Sequence, residues 1–331
     1  TARHSTRAWQ KRQGNPMLTG QWVQVKCQLT GAFHTRRQGY ANLWKCAPFV
    51  LGSTLRGALL TALITSTYDD AAIQNEDYKT QGPAAPFFAT PPRAYFTFGR
   101  FPKDVEARME SHARITLERG NQSVAEGALL SVEAVKAGTA FEFDVLLPGD
   151  DGTLARTVLD TVARMSGMIS LGSLRSLGMG QFKVEHKTTA ALETYLQQFH
   201  APPVDKPWDI HWTTPYVLAT GETPWTGEAT VLAQQLSTQL REQMQTLAAD
   251  IRPPTFKRVD TRIKLDFVGR WSFENGAREN RLVAWPGSIF TLQVDDPGDW
   301  EAALQLAQAF GWGAWASWGF GRWAWESPGQ Q

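Results

Sequence analysis

From Gln21 to Thr30 the run QWVQVKCQLT alternates, with Trp22 at its head and Val23, Val25, Cys27 and Leu29 at every second position. That period predicts a strand with one buried face. A loop rich in His, Arg and Gly follows. LGSTLRGALLTALI then opens on Gly and Ser and continues with apolar residues at helical spacing, with Ser53 or Thr54 as the expected N-cap. Residues 69–92 turn acidic and then rich in Pro and Gly, the composition of an insertion or loop. Alternation predicts strands at 94–101 and 113–118, and two more within GALLSVEAVKAGTAFEFDVLL (127–147), split at a Gly-containing turn. In 153–168, Leu154, Val158, Leu159, Val162 and Met165 fall on one side of a helix, and LGSLRSLGMGQF (171–182) leads from it into a strand.

After a linker rich in Pro and Trp at 201–208, the plan repeats. Strands are expected near 210–218, 262–273 and 288–294, helices at 228–249 and 299–310, and RWAWE closes the series as a strand. Each half reads as strand, helix, strands, helix, Gly-rich loop, strand. The fold class is therefore α+β, with two ferredoxin-like (RRM-like) domains produced by duplication. Expected boundaries are a basic tail at 1–16, a first domain at 17–200 with an insertion near 69–92, and a second at 209–327.

The two halves end in comparable loops. GWGAWASWGFGRW (311–323) holds four glycines and four tryptophans, spaced as G-x-G, five residues, G-x-G. Glycine permits positive φ and close approach of another chain, while tryptophan offers a flat face. Gly319 is the position where a β-branched residue is expected to be incompatible.

Charge narrows the ligand. The net charge is only +1, yet no Asp or Glu precedes Asp69, whereas nine Lys and Arg do. That asymmetry suits a polyanion. No apolar run reaches membrane-spanning length and no hydrophobic signal segment is visible, so a cytoplasmic, non-membrane protein is expected. Cys27 and Cys46 are unclustered and are expected to be reduced thiols. His186, His200 and His211 lack ligand spacing, and no phosphate-loop, zinc-protease or serine-hydrolase motif occurs. No metal or cofactor is expected.

Four stretches in order resemble the CRISPR-associated RAMP superfamily: VLGSTLRGALL (50–60), the strand pair at 127–147, and the two Gly-rich loops. Together they span most of 20–325. WPGSIFTL (285–292), with the preceding GRWSF and ARENRLVAWPGS, is similar to the Cas-five group of type III-D or type III-B systems, which caps the five-prime handle of guide RNA. The resemblance implies a noncatalytic RNA-binding subunit. Its partners would be guide RNA, RAMP backbone subunits and the large signalling subunit of a type III ribonucleoprotein used in antiviral defence.

The RNA contacts expected on this basis are Arg36, Arg37, Lys45, Gly52, Ser53, Arg56, Gly172, Arg175, Gly178, Gly180, Lys257, Arg258, Gly311, Gly313, Gly319, Gly321 and Arg322. A helix N-terminus at Gly52 and Ser53 favours phosphate, and Arg56 adds a charged fork. A tryptophan of the last loop is expected to stack on a base. Two alternatives stay open. One is a metal-independent repeat endoribonuclease using His34 as general acid/base, helped by Tyr40 and Lys45. The other is a protein-bridging subunit. Residues 20–68 contain no Asp, which argues against target cleavage from that region.

Overall fold

The computed structural model describes residues 18–40, 43–117, 124–204, 207–218, 227–272 and 277–325. The expected tail at 1–16 lies outside the described residues.

The first half begins with β1 (Gly20–Leu29), then β2 (Arg36–Tyr40), β3 (Leu43–Cys46), β4 (Phe49–Val50) and helix α1 (Gly52–Thr67). The segment at 69–92 holds a short helix α2 (Asp70–Gln74) and 3₁₀ turns at Asp77–Lys79 and Ala85–Phe88, the latter burying Phe87. Next come β5 (Tyr95–Phe96), β6 (Gly99–Arg100), β7 (Met109–Leu117), β8 (Val124–Val135), β9 (Ala140–Pro148), α3 (Thr153–Met165), β10 (Phe182–Ala191) and the short α4 (Leu192–Leu196). The second half runs β11 (Trp208–Trp212), β12 (Tyr216–Val217), α5 (Ala229–Leu247), β13 (Thr255–Arg262), β14 (Leu265–Ser272), β15 (Ala277–Ala284), β16 (Ile289–Asp296), α6 (Trp300–Phe310) and β17 (Trp323–Trp325).

Two sheets carry the duplication. The first has the order β10-β1-β9-β6-β4, with β5 also on β9, and all its pairings are antiparallel. Taking β1, β5/β6, β9 and β10 as its four strands gives spatial order 4-1-3-2. The second has β13-β16-β11-β17, which is 2-3-1-4, the same order read from the other edge. With α1 and α3 as the connecting helices of one half and α5 and α6 of the other, both are βαββαβ ferredoxin-like units. Each carries an insertion between its second and third strands, the β7–β8 hairpin in one half and β14–β15 in the other.

Packing explains the helices. In α3, Leu154, Val158, Val162 and Met165 recur along one face and are buried, and Asp150 caps the helix by accepting from the Leu154 and Ala155 amides at 2.9 Å each. Helix α1 differs from expectation at its start. Its N-cap is Leu51, without a side-chain cap, and neither Ser53 nor Thr54 takes that role.

The two strands expected within 127–147 are β8 and β9, parted at Gly138, although β8 joins β7 and β3 while β9 joins the first sheet. Three strand expectations need correction. The stretch read as a loop after β1 holds β2 and β3. The predicted 210–218 strand breaks into β11 and β12 around Thr213–Pro215. Strands β13 and β15 were not anticipated; β13 is an irregular edge strand whose pairing shifts twice.

The halves share their interior. One cluster unites Tyr95, Leu146 and Tyr195 with Phe310 and Trp312, and Tyr95 meets Phe310 at a ring distance of 4.9 Å. Another joins Phe49 and Phe98 to Val268, Trp285 and Phe320. Burial raises both thiols, Cys27 and Cys46, to about 12, with Glu185 adding to the effect at Cys27. Both therefore stay protonated at neutral pH.

Candidate nucleic-acid interface

The two Gly-rich loops share one backbone. Gly172, Leu174, Gly178 and Gly180 have φ of 77°, 60°, 78° and 77°; Gly313, Trp315, Gly319 and Gly321 have 86°, 63°, 84° and 69°. Each encloses a single 3₁₀ turn, Arg175–Leu177 in one and Ala316–Trp318 in the other. The Leu171 amide donates to the Gly180 carbonyl at 2.8 Å, as Trp312 does to Gly321 at 2.8 Å. The amide of Gly180 reaches the Ala32 carbonyl just past β1, and that of Gly321 reaches Pro215 just past β11. Side chains at Gly180 or Gly321 are excluded, because an added Cβ would lie 1.8 Å from the Leu171 oxygen or 1.9 Å from that of Trp312.

Their surroundings differ. Around Gly319, a Cβ would meet Phe98 Cδ1 at 2.6 Å and the Phe96 carbonyl oxygen at 2.7 Å. The Trp318 carbonyl sits 2.2 Å from where a Cβ on Gly52 would be. The last loop is thus seated on the start of α1 and on β5–β6 of the first half. Around Gly178 nothing lies within 4 Å of such a Cβ, and Arg175 to Gly178 are all exposed.

This placement corrects several expectations. Gly52 is met by the Trp318 carbonyl and Gly319 by Phe96 and Phe98 across the junction between halves, so polypeptide occupies the approach expected for RNA. Gly311 closes its own loop against Phe320 O, and Gly313 faces Gln239 and Tyr216. Arg322 is only 8% exposed. Its Nη1 donates to the Tyr195 hydroxyl at 2.6 Å and its Nη2 to the Ala309 carbonyl. It latches the halves together and presents no fork to solvent. Arg37 donates to Asp266 at 2.9 Å with its guanidinium 4.3 Å from the Trp285 ring centroid. Arg56 donates to the Phe87 carbonyl at 2.7 Å and lies over Phe88, fixing the 69–92 segment. Ser53 is half-buried one residue into α1.

Two of the last-loop tryptophans are packed inside and two are partly exposed. Trp312 and Trp323 are buried, and Trp315 and Trp318 lie against the cluster around Phe320. His34 is fully buried, its Nδ1–H donating to the Glu133 carbonyl at 2.6 Å, with Trp44 stacked alongside. A ribose hydroxyl cannot reach a ring enclosed in this way. The side chains of Arg36 and Tyr40 lie outside the described residues.

What stays at the surface is a smaller set. Arg175 and Gly178 stand at the apex of the first loop, with Gly172 and Gly180 shaping it against His34 O and Leu171 O. Lys45 is exposed on β3. Lys257 and Arg258 are exposed on β13, but Arg258 is held in a two-oxygen pair by Asp260 at 2.8–3.0 Å. Among the described residues no group of three or more His, Cys, Asp or Glu is placed to hold a metal ion, and no helix is long and apolar enough to cross a membrane.

The sequence reading missed the partners of the loops. Tyr195, Phe96 and Phe98 meet residues more than a hundred positions away in the chain, and local spacing carries no signal for such contacts.

No known family's sequence profile matches the chain, and no curated protein is similar to it. Similar solved structures include one described as "CRISPR associated protein Cas6", 10% identical, with a TM-score of 0.45 over 93% of this chain and 100% of that chain. Another is a chain from "Cryo-EM structure of the Type III-B Cmr-beta bound to cognate target RNA", 12% identical, with a TM-score of 0.38 over 57% of this chain and 66% of that chain.

Proposed function

We propose that this chain is a CRISPR-associated RAMP protein that holds guide RNA, capping its five-prime handle within a type III ribonucleoprotein in the cytoplasm. Its neighbours there would be RAMP backbone subunits and the large signalling subunit. One observation carries the reading. Of two loops with the same backbone, only the first leaves its apex open, and that apex joins a glycine whose side-chain position is empty space to an exposed arginine. The open face of that glycine lets a sugar-phosphate chain lie against the main chain, while Arg175 neutralises a phosphate. The acid-free first 68 residues and the ordered motifs support the same polyanion. Burial of His34 disfavours the endoribonuclease, since general acid/base work needs hydrogen-bond reach of the reacting hydroxyl.

The test is titration of the full chain with guide RNA, with and without its handle, at several salt concentrations. Affinity should fall with a log–log slope of about −0.7 per phosphate contacted. Arg175→Glu should weaken binding several-fold and reduce that slope without moving the melting temperature. Salt-independent affinity, or equal affinity for RNA lacking the handle, would defeat the capping role. Metal-free cleavage of repeat RNA would restore the enzyme.

A further inference from the structure

We infer that Phe267 is a stacking platform for a base of single-stranded RNA. The inference rests on the RNA reading above and adds a contact that no sequence motif marked. Proteins that hold single-stranded RNA commonly lay bases on exposed aromatic rings. A last-loop tryptophan was the expected ring, but the fold buries Trp312 and Trp323 and leaves Trp315 and Trp318 only partly exposed. Among the described residues, the exposed large apolar side chains include one aromatic, Phe267, at 61% exposure.

The strand carrying it presents the ring rigidly. Along β14, Asp266 and Val268 turn inward and are buried, while Leu265 and Phe267 turn outward at 53% and 61% exposure. Gly269 follows at the same parity and adds no side chain. The inward residues fix the strand: Asp266 accepts from Arg37 on β2, and Arg37 stacks on Trp285. A ring mounted on a strand braced from both halves loses little freedom when a base settles on it.

Charge identifies the occupant. Lys264 is exposed immediately before β14, three residues from Phe267, and on β2, which packs beside β14, Arg37 balances the charge of the buried Asp266. An exposed ring with its neighbouring carboxylate neutralised and an exposed lysine on the same segment suits a base of a polyanion.

The experiment titrates full-length protein with single-stranded RNA carrying 2-aminopurine, whose emission reports stacking. Wild type should bind with a change in that emission. Phe267→Ala should bind about tenfold more weakly and lose the emission change, at an unaltered melting temperature. Phe267→Tyr should restore both. If Phe267→Ala binds like wild type while Arg175→Glu is weakened, the platform is wrong and the RNA reading survives. Absence of RNA binding by wild type removes both. Equal weakening in the Ala and Tyr variants with a lowered melting temperature assigns Phe267 to packing and also overturns the platform.

Discussion

The first and second Gly-rich loops follow the same path through space yet meet opposite fates. In the second, the Ala316–Trp318 turn is pressed onto Gly52, Phe96 and Phe98 of the other half. In the first, the Arg175–Leu177 turn projects into solvent, with Leu177 52% exposed. Even the residues that follow the final glycines correspond. The Gln181 carbonyl accepts from Thr30 and Gly31, and the Arg322 carbonyl accepts from Thr213 and Thr214. The side chains diverge, because Gln181 is exposed while Arg322 is buried on Tyr195. A Gly-rich loop therefore does not by itself define a ligand site. It is a rigid bracket, and its surroundings decide whether it holds protein or is free to hold RNA.

The largest effect should appear where the loops are alike. Gly180→Ala and Gly321→Ala each drive a Cβ into a carbonyl of the loop's own closing pair. Both should lose more than about 4 kcal/mol and fail to accumulate as folded protein. If either variant melts like wild type, the shared closure is wrong.

Next comes the latch. Arg322→Met strands the Tyr195 hydroxyl and the Ala309 carbonyl in the interior. It should lower stability by about 3 kcal/mol in denaturant titration, whereas Gln181→Met should stay within about 0.5 kcal/mol. Equal effects would show that Arg322 is not the joint.

The smallest and sharpest contrast is Gly319→Ala against Gly178→Ala. Both positions have positive φ, so each carries a strain of about 1–2 kcal/mol. Only the first adds overlap with Phe96 and Phe98. Gly319→Ala should melt a few degrees lower than Gly178→Ala, yet bind RNA normally per folded molecule, while Gly178→Ala should bind more weakly. Reduced affinity of folded Gly319→Ala would return the last loop to the RNA interface.

The sequence showed the duplicated plan because period-2 and helical spacing are local, and because Gly-x-Gly marks positive φ; Gly319, at 84°, lies where its spacing placed it. What each loop faces was not legible. Gly52 and Trp318 lie 266 positions apart, and a phosphate-binding helix start reads the same in one dimension as a packing seat. Arg322 shows the limit well. An arginine after a glycine suggests an exposed cation until the chain folds Tyr195 over it. Phe267 was hidden for the converse reason: in LDFVGRW the apolar Leu265, Phe267 and Trp271 share one parity while Asp266 and Arg270 share the other, so alternation puts Phe267 inside, whereas the fold buries Asp266 and Val268.

The seating of the last loop on α1 also sets an order of events during synthesis. The ribosome releases Phe49, Gly52 and Phe98 long before Trp318 and Phe320 exist to cover them. A nascent chain halted short of the last loop displays an uncovered apolar surface at the head of its first helix, open to chaperones and to misassembly. The first half gains this cover only once residues 311–323 have been made, so the last loop ties the finish of the first half to the synthesis of the second.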